Sequence, residues 1–380
     1  MPSWTSRWTG SDGRVAPTDP ATVRSVIGED GAMTTPIPAP PALRPLPAPA
    51  PLPADALTGG LAFHRLVFAR RRSGWWTPLV VGVLGVALYA AMLGVVLVGI
   101  LAAAFADPAF AQRMMTLGQN IAFDLTDPFL IALTLGTIVL MLPAYVLASL
   151  IVNGRRVGLV SSAAGRLRWR WMLLCGAVAV VISLALSAVS ALLPAEAVDS
   201  SGVVPPDQNP QLVATLVVLL LLIPFQAAAE EYVFRGYLQQ AIGRWLRHPA
   251  FAILLPVPLF VLGHLYDPLG QASVAVFAIA AGWLTWRTGG LEAAIALHVV
   301  NNLLAFLLAL AGLGDVNDSS PGVASFFWSL IVIAAYTGAV EWMFRRGTLG
   351  RTLVLTPPTP MPYAAVAPAP PVGPPAPAAD

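Results

Sequence analysis

Residues 211–240 read QLVATLVVLLLLIPFQAAAEEYVFRGYLQQ. The stretch is long and apolar enough to cross ~30 Å of hydrocarbon as a helix. Yet it carries Glu230, Glu231 and Arg235 in its second half. An ionisable side chain inside a membrane span is costly and marks function by default. Fold and chemistry therefore turn on one question: is this a membrane span with a site built into it?

Composition answers the first half. The 380 residues are 57% hydrophobic and only 11% charged, whereas soluble globular domains carry about 25% charged residues. Mean hydropathy is +0.74. Of the 36 prolines, 12 fall in residues 1–60 and 10 in residues 357–377. The chain accordingly divides into a disordered Pro/Ala-rich tail over 1–60, a hydrophobic body over 61–350 and a second disordered Pro-rich tail over 351–380. Both tails read as extended, solvated spacers. A single soluble domain, a collagen-like repeat and a disulfide scaffold are excluded. The single cysteine, Cys175, has no intrachain partner, and no redox chemistry is indicated. A net charge of +2 gives no sign of a nucleic-acid partner. All 21 basic residues are arginine, which suggests a GC-rich bacterial source. The first 60 residues hold no apolar run long enough for a signal-peptide core.

Within the body, apolar runs of membrane-spanning length recur near 78–105, 128–152, 171–193, 211–240, 250–266, 271–287, 290–312 and 323–344. The expected fold is an all-α, polytopic membrane bundle of about eight transmembrane helices. Arginines fill alternate loops: Arg65 and Arg70 to Arg72, then Arg155 to Arg170, Arg244 and Arg247, and Arg345 to Arg351. The other loops hold Asp107, Asp124, Asp127, Glu196, Asp199, Asp207, Asp267, Asp315 and Asp318, with Arg113 their one arginine. By the positive-inside rule this is a multi-pass protein of the cell membrane with both termini cytoplasmic. No repeat of fixed period is visible, so a solenoid is excluded. No inverted repeat is visible either, which counts against a transporter using buried charges as a proton relay.

Most spans carry no ionisable residue. Three do or carry buried polar groups: the fourth with Glu230, Glu231 and Arg235, the fifth with His264, the seventh with His298, Asn301 and Asn302. At a rise of ~1.5 Å per residue, Glu230 lies roughly 21 Å from Arg244, His264 about 22 Å from Pro249 and His298 roughly 13 Å from Gly289. The three sets can meet inside the bundle. Glu231 and Arg235, four apart, can pair on one stripe, while Glu230 points about 100° away and is free for another task. His298 and Asn302 share a face by the same spacing, as do Phe260 and His264. Asn301 reads as helix glue and Glu292 as a carboxylate favoured by its helix N-terminus. His64 and His248 read as solvated.

The chemistry suggested is water activation. Glu230, His264 and His298 can bind a divalent metal such as zinc with one position open for water. Alternatively the carboxylate takes the proton itself, its affinity raised by apolar surroundings. Asn302 can then donate to a developing oxyanion. No HExxH helix is present.

The ordered motifs Glu230-Glu231-Tyr-Val-Phe-Arg235, Phe260-Val-Leu-Gly-His264 and His298-Val-Val-Asn-Asn302 resemble the CPBP family of intramembrane proteases. Its name covers CAAX-prenyl proteases and bacteriocin-processing enzymes, and it is also called the Abi family. The resemblance covers about residues 205–312. It implies a helical bundle whose catalytic cavity opens to the cytosol. It also implies that Glu230 activates water helped by His264, that His298 and Asn302 complete the site, and that Arg235 orients the motif through Glu231. Whether a metal takes part is left open by the motifs. The expected substrate is a membrane-associated peptide or protein within the lipid bilayer. The alternative is a non-catalytic membrane scaffold or immunity protein of the same fold. Tyr266-Asp267 and the GLGD run ending at Asp315 also resemble the paired motifs of presenilin-type aspartyl proteases, but the topology places both aspartates in loops, where turn formation explains them.

Overall fold

A helix that is apolar on every side needs either a protein core or lipid around it. The helix α1 (Thr77–Ala106) buries only Thr77, Pro78 and Val81 against protein. Val83, Val86, Val95, Val98 and Phe105 stand out from it, more than half exposed. Lipid is the surrounding that such a surface requires. In the computed structural model the described residues are 60–119, 123–154, 156–190, 192, 204–318 and 322–355. Apart from residues 60 and 351–355, both expected tails lie outside them.

The amphipathic α2 (Pro108–Gln119) follows α1. A second span is built from α3 (Pro128–Val139) and α4 (Met141–Asn153). Pro143 breaks it: its ring would meet the carbonyl of residue 139, where α3 stops. The third span is α5 (Trp169–Ser190), and the fourth begins as α6 (Leu212–Glu231). Pro224 sits inside α6 without ending it. A π-helical turn over Tyr232–Leu238 then leads into α7 (Gln239–Trp245).

The expected fifth span differs. Pro256 and Pro258 split it into α8 (Pro249–Leu254) and α9 (Val257–Leu262), each proline lacking the N–H that a continuous helix needs. Fourteen residues, Pro249–Leu262, reach only ~21 Å, short of the ~30 Å hydrocarbon core. Three further spans follow, α10 (Pro268–Thr288), α11 (Glu292–Leu310) and α12 (Val323–Arg346). Among the described residues, seven helices are long and apolar enough to cross a membrane, and the broken helix is the eighth element.

Chain parity requires that eighth crossing. β1 (Leu61–Ala62), just before the first span, pairs antiparallel with β2 (Thr352–Leu353), just after the last. Seven crossings would leave these ends on opposite faces; eight bring them together. Behind β1, a 3₁₀ turn over Phe63–Ala69 is buried against α7. His64 is thus buried, not solvated, with its Nε2 2.9 Å from the Arg247 carbonyl. Gly243 makes this possible, because a Cβ there would collide with the His64 carbonyl. Trp171, at the start of α5, is buried as well and packs near Phe344.

The same face gathers the arginine-rich loops. Arg168 reaches the carbonyls of Thr288 (3.0 Å) and Gly350 (3.4 Å), and Arg244 donates to Ser73 O (2.6 Å). The opposite face is tied by acidic and amide groups. Arg113 Nε donates to Asp127 (2.7 Å), and Asn317 exchanges hydrogen bonds with the Phe123 backbone (2.7 and 3.0 Å).

Candidate active site

The site lies where α6 meets α11 and the end of α9. Ala293, Ala294 and Ala296 on α11 are all buried, and such small side chains allow membrane helices to approach closely. The first turn of α11 is fixed by Glu292, which takes Arg168 N and Nε on one oxygen (2.9 Å each) and Nη2 on the other (2.6 Å). Leu291 N donates to Ser161 O (2.9 Å) beside it. This clamp sets the height of His298, six residues further along the same helix.

Glu231 is fully buried. Its Oε1 accepts from Arg235 Nη1 and from His298 Nδ1, both at 2.8 Å. The expected i,i+4 ion pair is present, and it also holds a histidine. Arg235 lies over the Phe260 ring, 4.4 Å from its centroid, and donates to Ala278 O (3.3 Å). The cation is therefore locked between α9 and α10. The π-turn that begins at Tyr232 carries it there, and such turns recur at functional sites.

A carboxylate can only accept, so His298 Nδ1 carries a proton, and in the neutral ring Nε2 presents its lone pair. That lone pair faces Glu230 Oε2 at 3.5 Å. Two acceptors facing each other call for a proton donor between them. Neither Glu230 Oε2 nor Glu231 Oε2, both buried, meets a hydrogen-bond donor among the described residues. Glu230 Oε1 is held by Gln226 Nε2 (2.7 Å), and Gln226 Oε1 in turn accepts from Asn302 Nδ2 (3.0 Å). Gln226 thus joins the carboxylate of α6 to the amide of α11. The sequence reading overlooked it, although it lies one helical turn before Glu230 and is polar within an apolar span.

His264 lies just beyond the end of α9, in the turn before α10, and not within a helix as the sequence suggested. Its Nδ1 is 2.9 Å from Phe260 O, and its ring sits 4.8 Å from that of Phe260. A carbonyl also only accepts, so this ring too keeps Nε2 as its lone-pair nitrogen when neutral.

His264, His298, Asn301 and Asn302 line a cavity of about 280 Å³. Its floor is Phe260 and His298, both buried. Its rim is Tyr266, Asp318 and Ser325, all exposed. Although its edge is open at the rim, desolvation of the rest of the ring and the negative charges of Asp318 and Glu230 hold the Tyr266 phenol above its usual range, so it stays a neutral donor there. Asn301, expected to glue helices, is exposed on the cavity wall and donates to Asn302 Oδ1 (3.3 Å). The aspartates of the rival motif serve turns: Asp267 caps α10 through Gly270 N (2.7 Å), and Asp315 accepts from Asn317 N (2.8 Å).

The donor chemistry suits a divalent ion, with two Nε2 lone pairs and an unsatisfied carboxylate oxygen. The spacing does not: among the described residues no three His, Cys, Asp or Glu side chains gather closely enough to hold one. A metal shared by Glu230, His264 and His298 would require the three to draw together.

Comparison with known proteins places the same residues in a family context. Residues 210–304 match the family model described as Type II CAAX prenyl endopeptidase Rce1-like. The motif-based resemblance is borne out over that segment, which holds every expected site residue. The chain is also 27% identical over 147 residues to "Uncharacterized protein YyaK" of Bacillus subtilis (strain 168). That alignment covers 34% of this chain and 49% of the relative, so the chain spans about half of the relative's length. No solved structure matches.

Proposed function

We propose that this protein is an intramembrane endopeptidase that hydrolyses a peptide bond of a membrane-associated peptide or protein. The observation that carries the reading is the buried, donor-less Glu230 Oε2 facing His298 Nε2 at 3.5 Å beside a lined cavity. A water placed between these two acceptors donates to both. Glu230 removes one of its protons as the oxygen attacks the scissile carbonyl carbon. The resulting oxyanion is met by amide N–H of Asn302, whose orientation Gln226 fixes. The proton then passes to the leaving amine, and the C–N bond breaks. His298 is held in the required tautomer by Glu231, which Arg235 holds in place. His264, on the cavity wall, is positioned to hydrogen-bond the substrate.

A second reading adds a divalent metal, zinc being the expected one, at Glu230, His264 and His298. The fact favouring it is that both imidazoles commit Nδ1 and leave Nε2 as a lone pair, as metal-binding histidines do. Metal analysis of the purified protein and activity after chelation separate the two. Stoichiometric metal with chelator-sensitive cleavage establishes the second; full activity without metal establishes the first.

The decisive test profiles new protein N-termini in membranes carrying wild type or Glu230→Gln at matched abundance. Termini present only with wild type establish proteolysis and identify the substrate. Identical profiles, with the variant still rescuing a deletion phenotype, overturn the enzyme reading and favour a non-catalytic scaffold or immunity role. The arginine pattern supports a multi-pass membrane location with both ends cytoplasmic.

A further inference from the structure

The arginines and the cavity lie on opposite faces. Arg65, Arg70 to Arg72, Arg166, Arg168, Arg244, Arg247, Arg345, Arg346 and Arg351 belong to the segments gathered around the β1–β2 pair. Among the described residues, Arg113 is the single arginine of the other face. The cavity is rimmed by that other face. Tyr266 comes from the turn between α9 and α10, Asp318 from the segment between α11 and α12, and Ser325 from the first turn of α12. Ser273 and Ser329, near the same ends of α10 and α12, line it further in. Toward the arginine-rich face the way is filled. Arg235 is bonded to Ala278 O, Gln239 Nε2 to Gly282 O (3.1 Å) and Arg168 to Glu292, and each of these groups is buried or nearly so. The broken α8–α9 element makes the opening possible. It ends after only ~21 Å of rise, so His264 and Tyr266 follow as a turn at the mouth.

We propose that the catalytic cavity is approached from the arginine-poor, extracytosolic face. Its substrate is then a membrane-anchored polypeptide whose scissile bond lies on, or just within, that side of the bilayer. The positive-inside rule assigns the arginine-rich loops to the cytosol, and the lining residues fix the mouth on the other side. This departs from the cytosolic opening that the family resemblance implied. The class of substrate rests on the endopeptidase reading; the side of approach does not.

The chain provides its own background for the test, because Cys175 is its single cysteine and is fully buried. Ser325→Cys places a thiol at the mouth, and Thr348→Cys places one on the exposed arginine-rich face. Cells expressing each full-length variant are treated with a membrane-impermeant maleimide, intact or permeabilised. Ser325→Cys is expected to label in intact cells and Thr348→Cys only after permeabilisation. Labelling of Ser325→Cys only after permeabilisation overturns the proposal. The same pattern is expected in a Glu230→Gln background, so loss of the protease reading would leave the side of approach standing. Where cleavage is measurable, maleimide on Ser325→Cys is expected to lower it at least about tenfold, since the adduct obstructs a mouth of this size. Undiminished cleavage by the fully labelled variant overturns the route.

Discussion

Glu292, in the first turn of α11, and Glu230, facing that helix from α6, are both carboxylates, and their surroundings differ in one respect. Both oxygens of Glu292 are occupied: Arg168 supplies its backbone N–H and Nε to Oε1 and its Nη2 to Oε2, and the pair is almost fully buried. Glu230 has one oxygen held by Gln226 and one that meets no donor. A carboxylate bonded on all sides is a clamp, because each lone pair already does structural duty. One left half-satisfied in an apolar setting costs stability, and that cost is tolerated where chemistry needs a reactive atom. The two sites lie about 9 Å apart along α11, so one fixes the helix on which the other depends.

Glu230→Gln should give the largest effect and is the sharpest way to break this contrast. The amide preserves shape and the Gln226 contact but cannot take a proton. Loss of a general base costs about 10²–10⁴-fold in rate, while the melting temperature in detergent is expected to hold or rise. A variant that retains turnover would make Glu230 another clamp.

Glu292→Gln tests the other arm. Removing one partner of a buried pair leaves the arginine uncompensated, at about 3–5 kcal/mol. The melting temperature should fall markedly, with cleavage per folded molecule at the wild-type level. A stable variant with lost turnover would move Glu292 into the catalytic machinery.

The contrast was half legible in the sequence. Charged residues in an apolar run stand out against composition, so Glu230, Glu231 and Arg235 were found, and helical spacing gave the Glu231–Arg235 pair. The ordering of His264 and His298 on later spans gave the remaining contributors. Partner choice across helices was not legible. Nothing in the spacing says that Glu231 takes His298 as well as Arg235, or that Arg168, 124 residues away, claims Glu292. Glu292 looked like a helix-dipole residue because that reading is local, whereas its actual partner is tertiary. His64 reads as solvated because it borders a Pro/Ala-rich tail at the membrane boundary, yet Gly243 admits it to the core. The break at Pro256 was readable in principle, but hydropathy counts length and ignores the missing N–H groups, so the span was drawn too long.

Gln226→Leu probes the link between the two helices of the site. It removes one donor and one acceptor, leaving Glu230 Oε1 and Asn302 Nδ2 unpaired at about 1–3 kcal/mol for each buried group. If Gln226 positions Glu230 and Asn302, kcat falls about 10–100-fold and its pH profile shifts, because the base has lost a hydrogen bond to its charged form. A lower melting temperature with unchanged kcat and pH profile would make Gln226 helix glue alone.

The smallest effect is expected at Asn301, and it bears on how far the reactive region extends. Its amide donates to Asn302 Oδ1 at the long distance of 3.3 Å and faces the cavity from an exposed position. Such a bond contributes about 0.5–1.5 kcal/mol at most, so Asn301→Ala should slow cleavage by no more than about tenfold. Because Asn301 touches the cavity and not Glu230, the loss should fall on KM, with kcat near its wild-type value. A fall in kcat instead would place Asn301 beside the oxyanion with Asn302. The unsatisfied region would then run from Glu230 across to the far wall of the cavity, and the boundary between clamp and reactive site would lie between Glu292 and His298 on α11 alone.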